Sequence, residues 1–365
     1  MIDISELPLR DELRGEQPYG APQLDVPVQL NTNENPYAPS AEVVEDVARV
    51  AAEAAASLNR YPDRDAVALR TALAAYLNRD GAQGLTIENV WAANGSNEVM
   101  QQLLQAFGGP GRTALSFAPT YAMYPEYARN TNTAWVTGRR AEDFTIERES
   151  ALKLIAEHQP TVIFLTSPNN PTGTALPLDD IEAVCDAAPG VVVVDEAYAE
   201  FRRSGTPSAL ELLPRFGRLI VTRTMSKAFA LAGGRLGYFG AAPAVVDAIK
   251  IVRLPYHLSS ISQAVATVAL NHADELLGAV GRLRQERDAT VEWLRSIGLT
   301  ALESDANFVL FGTFSAPRDR HAVWQALLDR RVLIRETGPD GWLRVSIGTP
   351  EEMAAFRTAL TEVIA

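Results

Sequence analysis

Cysteine is almost missing from this chain of 365 residues: Cys185 is the single one, so no disulfide can form within a chain and a reducing compartment suits it. Histidine is scarce as well. The four, His158, His257, His272 and His321, are scattered without metal-ligand spacing, and each reads most simply as a surface or packing residue. A basic excess is lacking too. Against 45 Asp and Glu stand 33 Lys and Arg, and the formal charge of −12 argues against nucleic acid as a partner. No run of about eighteen apolar residues occurs, so no membrane span is expected. The alanine-rich VARVAAEAAASL is interrupted by Arg49 and Glu53 and reads as a helix. The opening MIDISELPLRDELRGE is charged and has no long apolar core, so no secretory signal is expected. These absences lead to the expectation of a soluble, cytoplasmic protein.

With 47% hydrophobic residues the chain can build one large core and a smaller one. From about residue 85 to 275, apolar strand-like runs alternate with longer amphipathic ones, the rhythm of βαβ units in a parallel sheet. The runs are NVWAA, RTALSF, TAWVT, TVIFLT, VVVVD, LIVTR and RLGYFG. A helix-like stretch from Ala279 to Ile297 follows, then short strands at NFVLF, VLIR and LRVSI and a closing helix. The expected architecture is α/β, with a large, mostly parallel-sheet α/β/α domain over residues 41–275. Residues 276–365 form a smaller α+β unit, and residues 1–40 are an arm packed on it or on a partner.

The polar residues that carry chemistry sit at strand ends. In TMSKAFALAGGRLGY, Lys227 is surrounded by Thr224, Ser226 and Arg235. Two hydroxyls and a guanidinium are what a phosphate requires. A lysine that attacks an aldehyde must be neutral, and so needs a site that lowers its pKa. A ligand with both groups is pyridoxal 5'-phosphate. The plain alternative is that Thr224 and Ser226 cap a helix and Lys227 points into water.

In VVVVDEAYAEF, four consecutive valines read as a strand buried on both faces, leaving Asp195 at its carboxyl end, where open α/β sheets bind ligands. A carboxylate there can pair with a protonated pyridine nitrogen and make the ring an electron sink. Tyr198, three residues on, can donate to the ring's phenolic oxygen. Otherwise Asp195 only caps the segment after the strand, a common place for an acid. SPNNPTG also ends a strand, and its prolines and glycine stiffen a turn that presents Asn170, although such runs are ordinary turn signals. What opposes the three plain alternatives together is their order: turn, acid and lysine each come after a hydrophobic strand.

These segments resemble the fold-type I pyridoxal-phosphate aminotransferases, and within them are similar to the histidinol-phosphate aminotransferases of actinobacterial type. The likeness runs from LRGEQPYGAPQ through LNTNENPY, RYPDRDA, WAANGSNE, PTYAMYP, SPNNPTG, DEAYAEF, TMSKAFALAGGRLGY and LPYHLSS to ESDANFVLF and LIRE. The resemblance implies that Lys227 is the Schiff-base lysine and proton shuttle, and Asp195 the partner of the pyridine nitrogen. It gives Asn170 and Tyr198 the phenolic oxygen, and sets Tyr121 against the ring face. The phosphate falls to Ser96 and Asn97 in NGSNE, to Thr224, Ser226 and Arg235. NGSNE precedes the helix-like EVMQQLLQAF, whose N-terminus attracts anions, though simple capping explains it too.

The resemblance further implies a homodimer in which Tyr61 reaches the other subunit's cofactor phosphate. It places Tyr19, Asn33, Arg335 and Arg344 around the amino donor. Arginine forks suit a phosphate or carboxylate, although each arginine could instead be a solvated surface pair. The implied reaction exchanges an amino group between L-histidinol phosphate and 2-oxoglutarate, with imidazole-acetol phosphate and L-glutamate on the biosynthetic side. Related aromatic amino-acid aminotransferases share most of these blocks and stay open as an alternative. A cofactor-binding DNA regulator is opposed by the acidic balance and by the lack of room expected ahead of the fold. Lyase or decarboxylase chemistry would share the cofactor residues; only the substrate-contacting ones favour transamination.

Overall fold

The computed structural model describes residues 2–316 and 319–365. In chain order, a two-residue strand β1 (Val28–Gln29) precedes helices α1 (Ala41–Ala55) and α2 (Val67–Arg79). Strand β2 (Val90–Ala93) leads into α3 (Gly95–Phe107), β3 (Thr113–Ala118), α4 (Met123–Asn130) and β4 (Ala134–Arg139). Then come α5 (Arg148–His158), β5 (Val162–Thr166), α6 (Leu178–Ala187), β6 (Val191–Asp195), β7 (Leu219–Thr224) and β8 (Gly237–Ala241). Helices α7 (Pro243–Val252), α8 (Ser260–Asn271), α9 (Ala273–Leu276) and α10 (Gly278–Ser296) are next. The chain closes with β9 (Thr300–Ala301), β10 (Phe308–Gly312), α11 (Arg320–Asp329), β11 (Val332–Leu333), β12 (Trp342–Ser346) and α12 (Pro350–Ile364).

Seven strands form one sheet in the order β2-β8-β7-β6-β5-β3-β4. All run parallel except β8, which is antiparallel to both its neighbours. The valine run shows why this sheet is buried on both faces. Side chains alternate along a strand, so Val192 and Val194 enter one core with α2, α5, α6 and α8, while Val191 and Val193 enter another with α3, α4 and α7. Helices therefore cover both faces of the sheet, an α/β/α sandwich.

A third core gathers β10 and β12, the buried faces of α10, α11 and α12, and Leu30 next to β1. Strand β10 lies between β9 and β12 in a three-stranded antiparallel sheet, and β1 pairs in parallel with β11. Tyr198, Phe201 and Ala228, from loops after β6 and β7, join this core, so the loops of the large sheet are packed against the smaller one. The first residues also touch the large sheet's helices: Arg10 donates to Asn132 Oδ1 at 3.1 Å, and Glu16 pairs with Arg129. Among the described residues no helix is long and apolar enough to cross a membrane.

Candidate active site

Because β2, β3, β5, β6 and β7 run the same way, the segments after them emerge along one edge of the sheet. They bring Asn94 to Asn97, Thr120 and Tyr121, Asn170, Asp195 to Tyr198, and Thr224 to Lys227 to that edge. Strand β8 runs the other way, so Arg235, two residues ahead of it, arrives at the same edge. There most of them line a cavity of about 230 Å³. Its opposite wall comes from the arm and the third core: Tyr19, Asn33, Arg335, Thr337 and Arg344.

Of the residues singled out in the sequence, Tyr19, Asn33, Ser96, Asn97, Tyr121 and Asn170 line this cavity. So do Asp195, Tyr198, Thr224, Ser226, Lys227, Arg235, Arg335 and Arg344. Tyr61 does not. It lies on the outer surface, 80% exposed, with its ring stacked on Tyr256 at 4.4 Å.

Lys227 Nζ donates to the Thr32 carbonyl at 2.9 Å. No helix follows Thr224, and Thr224 Oγ1 instead accepts from the Ser226 backbone N–H at 3.1 Å and donates to Ser226 Oγ at 3.0 Å. The segment is a polar turn folded around the lysine, not a cap. Withdrawal from solvent, reinforced by the Arg344 and Arg235 charges, pushes the Lys227 pKa down to about 8, against the weaker pull of Glu34.

Asp195 is buried, and burial raises its pKa from the ordinary carboxylate value. Three donors oppose that rise: Tyr124 Oη at 2.7 Å, Thr222 Oγ1 at 3.3 Å and the Ala197 N–H at 3.2 Å. Among the described residues no cationic side chain pairs with it. A buried acid held by neutral donors and facing a cavity is a fitting counter-ion for a cationic ring nitrogen.

The anion end is equally well defined. Gly95 opens α3 at φ +80°, and a Cβ there would come within 2.6 Å of Arg235 Nη2. Glycine thus lets the guanidinium lie against the helix N-terminus beside Ser96 and Asn97. The Arg235 Nη1 hydrogen bond reaches Ser226 Oγ at 3.4 Å. A guanidinium, hydroxyls and free helix amides together suit a dianionic phosphate. On the far wall, Arg344 is buried and donates to Asn170 Oδ1 at 2.6 Å and to the Asn31 carbonyl at 2.7 Å. Among the described residues its Nε has no partner, and burial brings its pKa down to about 10. Arg335 faces it across an isolated bridge. Among the described residues neither arginine forms an ion pair, unlike the solvated surface pairs that were the plain alternative.

Several residues of this site were not singled out from the linear pattern. Tyr124, Thr222, Ser346 and Asn307 all act through bonds to distant segments. Only Tyr124 could have been found, from its three-residue spacing to Tyr121 in PTYAMYP, which sets both rings near the start of α4 at 5.5 Å.

A lysine, a buried acid and a phosphate cradle at the carboxyl edge of a mostly parallel sheet define a fold-type I α/β enzyme, and the chain belongs to the family "Aminotransferase class I and II", which matches residues 26–360. The chain is 65% identical over 359 residues to the histidinol-phosphate aminotransferase of Thermobifida fusca, covering 98% of this chain and 96% of that protein. It is 62% identical over 364 residues to histidinol-phosphate aminotransferase 3 of Burkholderia lata, covering 100% and 98%. The structure is similar to the crystal structure of histidinol-phosphate aminotransferase from Sinorhizobium meliloti in complex with pyridoxal-5'-phosphate. There the TM-score is 0.82 at 25% identity, covering 93% of this chain and 91% of that one.

Proposed function

We propose that this chain is a pyridoxal 5'-phosphate-dependent aminotransferase that exchanges an amino group between L-histidinol phosphate and 2-oxoglutarate. The biosynthetic direction, a step of histidine biosynthesis, converts imidazole-acetol phosphate and L-glutamate. One observation carries this reading: a single cavity is lined by Lys227 and Asp195, by Arg235 beside a helix N-terminus, and by a second pair of arginines, Arg335 and Arg344, from the smaller sheet's side. Full-length likeness to proteins named for this activity supports the substrate.

Ser96, Asn97, Thr224, Ser226 and Arg235 hold the cofactor phosphate, and Tyr121 lies against the ring face, a contact worth about 0.5–1.5 kcal/mol beyond burial. Asp195 pairs with the ring nitrogen; Asn170 and Tyr198 hold the phenolic oxygen. When bound, the cofactor supplies an aldehyde to carry the amino group and a ring to take up the electron pair released at the substrate carbon. Lys227 would anchor that aldehyde, and its Nζ, whose pKa as a free amine is about 8, would accept the proton from the amino-bearing carbon once the lysine is released. Arg335 and Arg344 bind the phosphate of histidinol phosphate, which has no carboxylate, and the carboxylates of 2-oxoglutarate and glutamate. Tyr19 and Asn33 close around the donor.

We read residues 41–275 as the large cofactor-binding domain, and residues 1–40 with 276–365 as arm and small domain. The enzyme acts in the cytoplasm as a homodimer whose Tyr61 reaches the partner's cofactor phosphate. Apolar surface on adjoining loops supports the dimer: Leu254 is 74% exposed beside Tyr61 and Tyr256, and Arg253 ties the two loops by donating to Asp65 at 2.8 Å.

The test compares kcat/KM for L-histidinol phosphate and L-phenylalanine, following the cofactor's absorbance in the half-reaction. Histidinol phosphate is expected to be preferred by at least about tenfold, because its dianionic phosphate brings more charge to the two arginine forks than the single carboxylate of phenylalanine. A preference for phenylalanine would reassign the substrate to aromatic amino acids.

A further inference from the structure

The Tyr198 hydroxyl receives N–H bonds from two amides, Asn33 Nδ2 at 3.0 Å and Asn170 Nδ2 at 3.4 Å. A phenol has one proton to give and two lone pairs to accept with. With both lone pairs taken, Tyr198 is left as a donor only, and among the described residues no acceptor takes its proton. That proton is therefore available to a group in the cavity.

Such an arrangement lasts only if the amides cannot turn over, since a flipped amide would offer its oxygen and claim the phenolic proton. The Asn33 amide is locked from the smaller sheet. Ser346 Oγ accepts from the Asn33 backbone N–H at 2.9 Å and gives its single proton to Asn33 Oδ1 at 2.8 Å. Flipping the amide would take away the acceptor of that proton in a buried position. Asn307 Nδ2 donates to the Asn33 carbonyl at 3.0 Å and fixes the backbone, which sits at φ 56°, a left-handed conformation asparagine tolerates. Asn33, Asn307 and Ser346 are all buried, so water cannot substitute for the missing partner.

The geometry points to Ser346 as a positioning residue: acting through Asn33, it holds Tyr198 as a hydrogen-bond donor toward the cavity and so tunes the protonation of the cofactor bound to Lys227. This rests on the cofactor reading above but not on the identity of the substrate. A donor at the phenolic oxygen stabilises negative charge there and weakens the proton's hold on the adjacent nitrogen of the lysine linkage. Losing the donor strengthens that hold. The charged and titratable groups around Tyr198 are Asp195, Arg344, Tyr19, Lys227 and Arg235, and Ser346 Oγ is hydrogen-bonded to Asn33 and to none of them.

The experiment is a pH titration of the holoenzyme's visible absorbance without substrate, run beside thermal unfolding. Ser346→Ala should raise the midpoint by about half a pH unit or more. Ser346→Cys, nearly isosteric and only a weak donor, should raise it less, and Ser346→Thr should restore it. In a Tyr198→Phe background the Ser346→Ala change should add no further shift, because the path between serine and cofactor is already cut. A lowered melting temperature with an unmoved midpoint, or an equal shift in the Phe background, overturns the inference. Absence of any lysine-bound chromophore in the wild type would overturn the cofactor reading and this one together, whereas a normal chromophore with no response to Ser346 overturns this one alone.

Discussion

Tyr124 donates its hydroxyl to Asp195 Oδ2 at 2.7 Å, with its ring stacked on Phe164 at 4.7 Å and the carboxylate buried at the cavity wall. The same hydroxyl lies 2.8 Å from Thr166 Oγ1, which ties the end of β5 to the acid that ends β6. Tyr124→Phe keeps the stacked ring and removes the donor. A hydrogen bond to a charged group is worth about 1.5–3 kcal/mol, and the Tyr124 bond holds the Asp195 pKa down, so its loss lifts the acid further. Cofactor affinity should fall by roughly ten- to a hundredfold, measured by titrating apo-enzyme with pyridoxal phosphate. Unchanged affinity would show that Asp195 does not depend on this donor.

Asp195 itself should act oppositely on stability and function. Its folded pKa is raised by burial, so the folded apo-protein takes up a proton more readily than the unfolded chain. The apo-protein therefore gains stability as pH falls through the folded pKa, and the charge is a cost above it. Asp195→Asn should raise the apo-protein's melting temperature at pH 7 while abolishing most transamination. For the wild type, adding cofactor should supply the missing cation and raise the melting temperature. A variant that is less stable as apo-protein would contradict this assignment.

The sheet and most of the site were legible in the sequence because full burial leaves a plain mark. Strands β5, β6 and β7 are continuous apolar runs, and Asn170, Asp195 and Lys227 each come after one. The reversal of β8 was not legible, since an apolar run carries no direction. Thr222 read only as a strand residue, and becomes a ligand of Asp195 through the parallel register that sets the two opposite each other. Ser346 meets Asn33 across 313 residues, a pairing that depends on β12 and the arm closing over the site. Arg223, too, looked like one more strand residue. In the fold its fully buried guanidinium meets Glu196 at 2.7 Å, Asp80 at 2.5 Å and Glu200 at 3.6 Å.

That buried arginine yields a stability prediction. Removing one partner of an enclosed ion network strands the others, at about 3–5 kcal/mol. Arg223→Ala should cost this much in urea unfolding of the apo-protein, since it leaves Glu196 and Glu200 together without their cation. Arg223→Lys should recover only part, lacking the fork that serves several carboxylates. A loss below about 1 kcal/mol would mean that the carboxylates are solvated or protonated.

The pKa of Lys227 predicts how the apo-enzyme captures its cofactor. The neutral amine is the reactive form, and with a pKa of about 8 it makes up roughly a tenth of the lysine at pH 7. The rate of cofactor capture should rise nearly tenfold per pH unit below 8 and level off above it. Burial is the main cause of the lowered pKa and Arg344 the largest charge adding to it, so Arg344→Gln should move the levelling to lower acidity only in part: it weakens the charge contribution and shifts the plateau to higher pH. A lysine free in solvent would still be rising past pH 9.

Tyr61 permits a test of the dimer that does not rely on one chain alone. Its ring is exposed on its own subunit, and its proposed role is in the partner's site. Tyr61→Ala and Lys227→Ala should each be severely impaired alone, the first through weakened cofactor binding and the second through loss of the anchor. In a twofold dimer that pairs them, one site carries both defects and the other carries neither. Random mixing makes half the dimers hybrid, so an equal mixture should recover roughly a quarter of the wild-type activity. If Tyr61 served its own subunit, each hybrid would hold two damaged sites and mixing would restore nothing. Subunits that never exchange would give the same silence, so the mixture is refolded together and the hybrid isolated by differential tags before its activity is read.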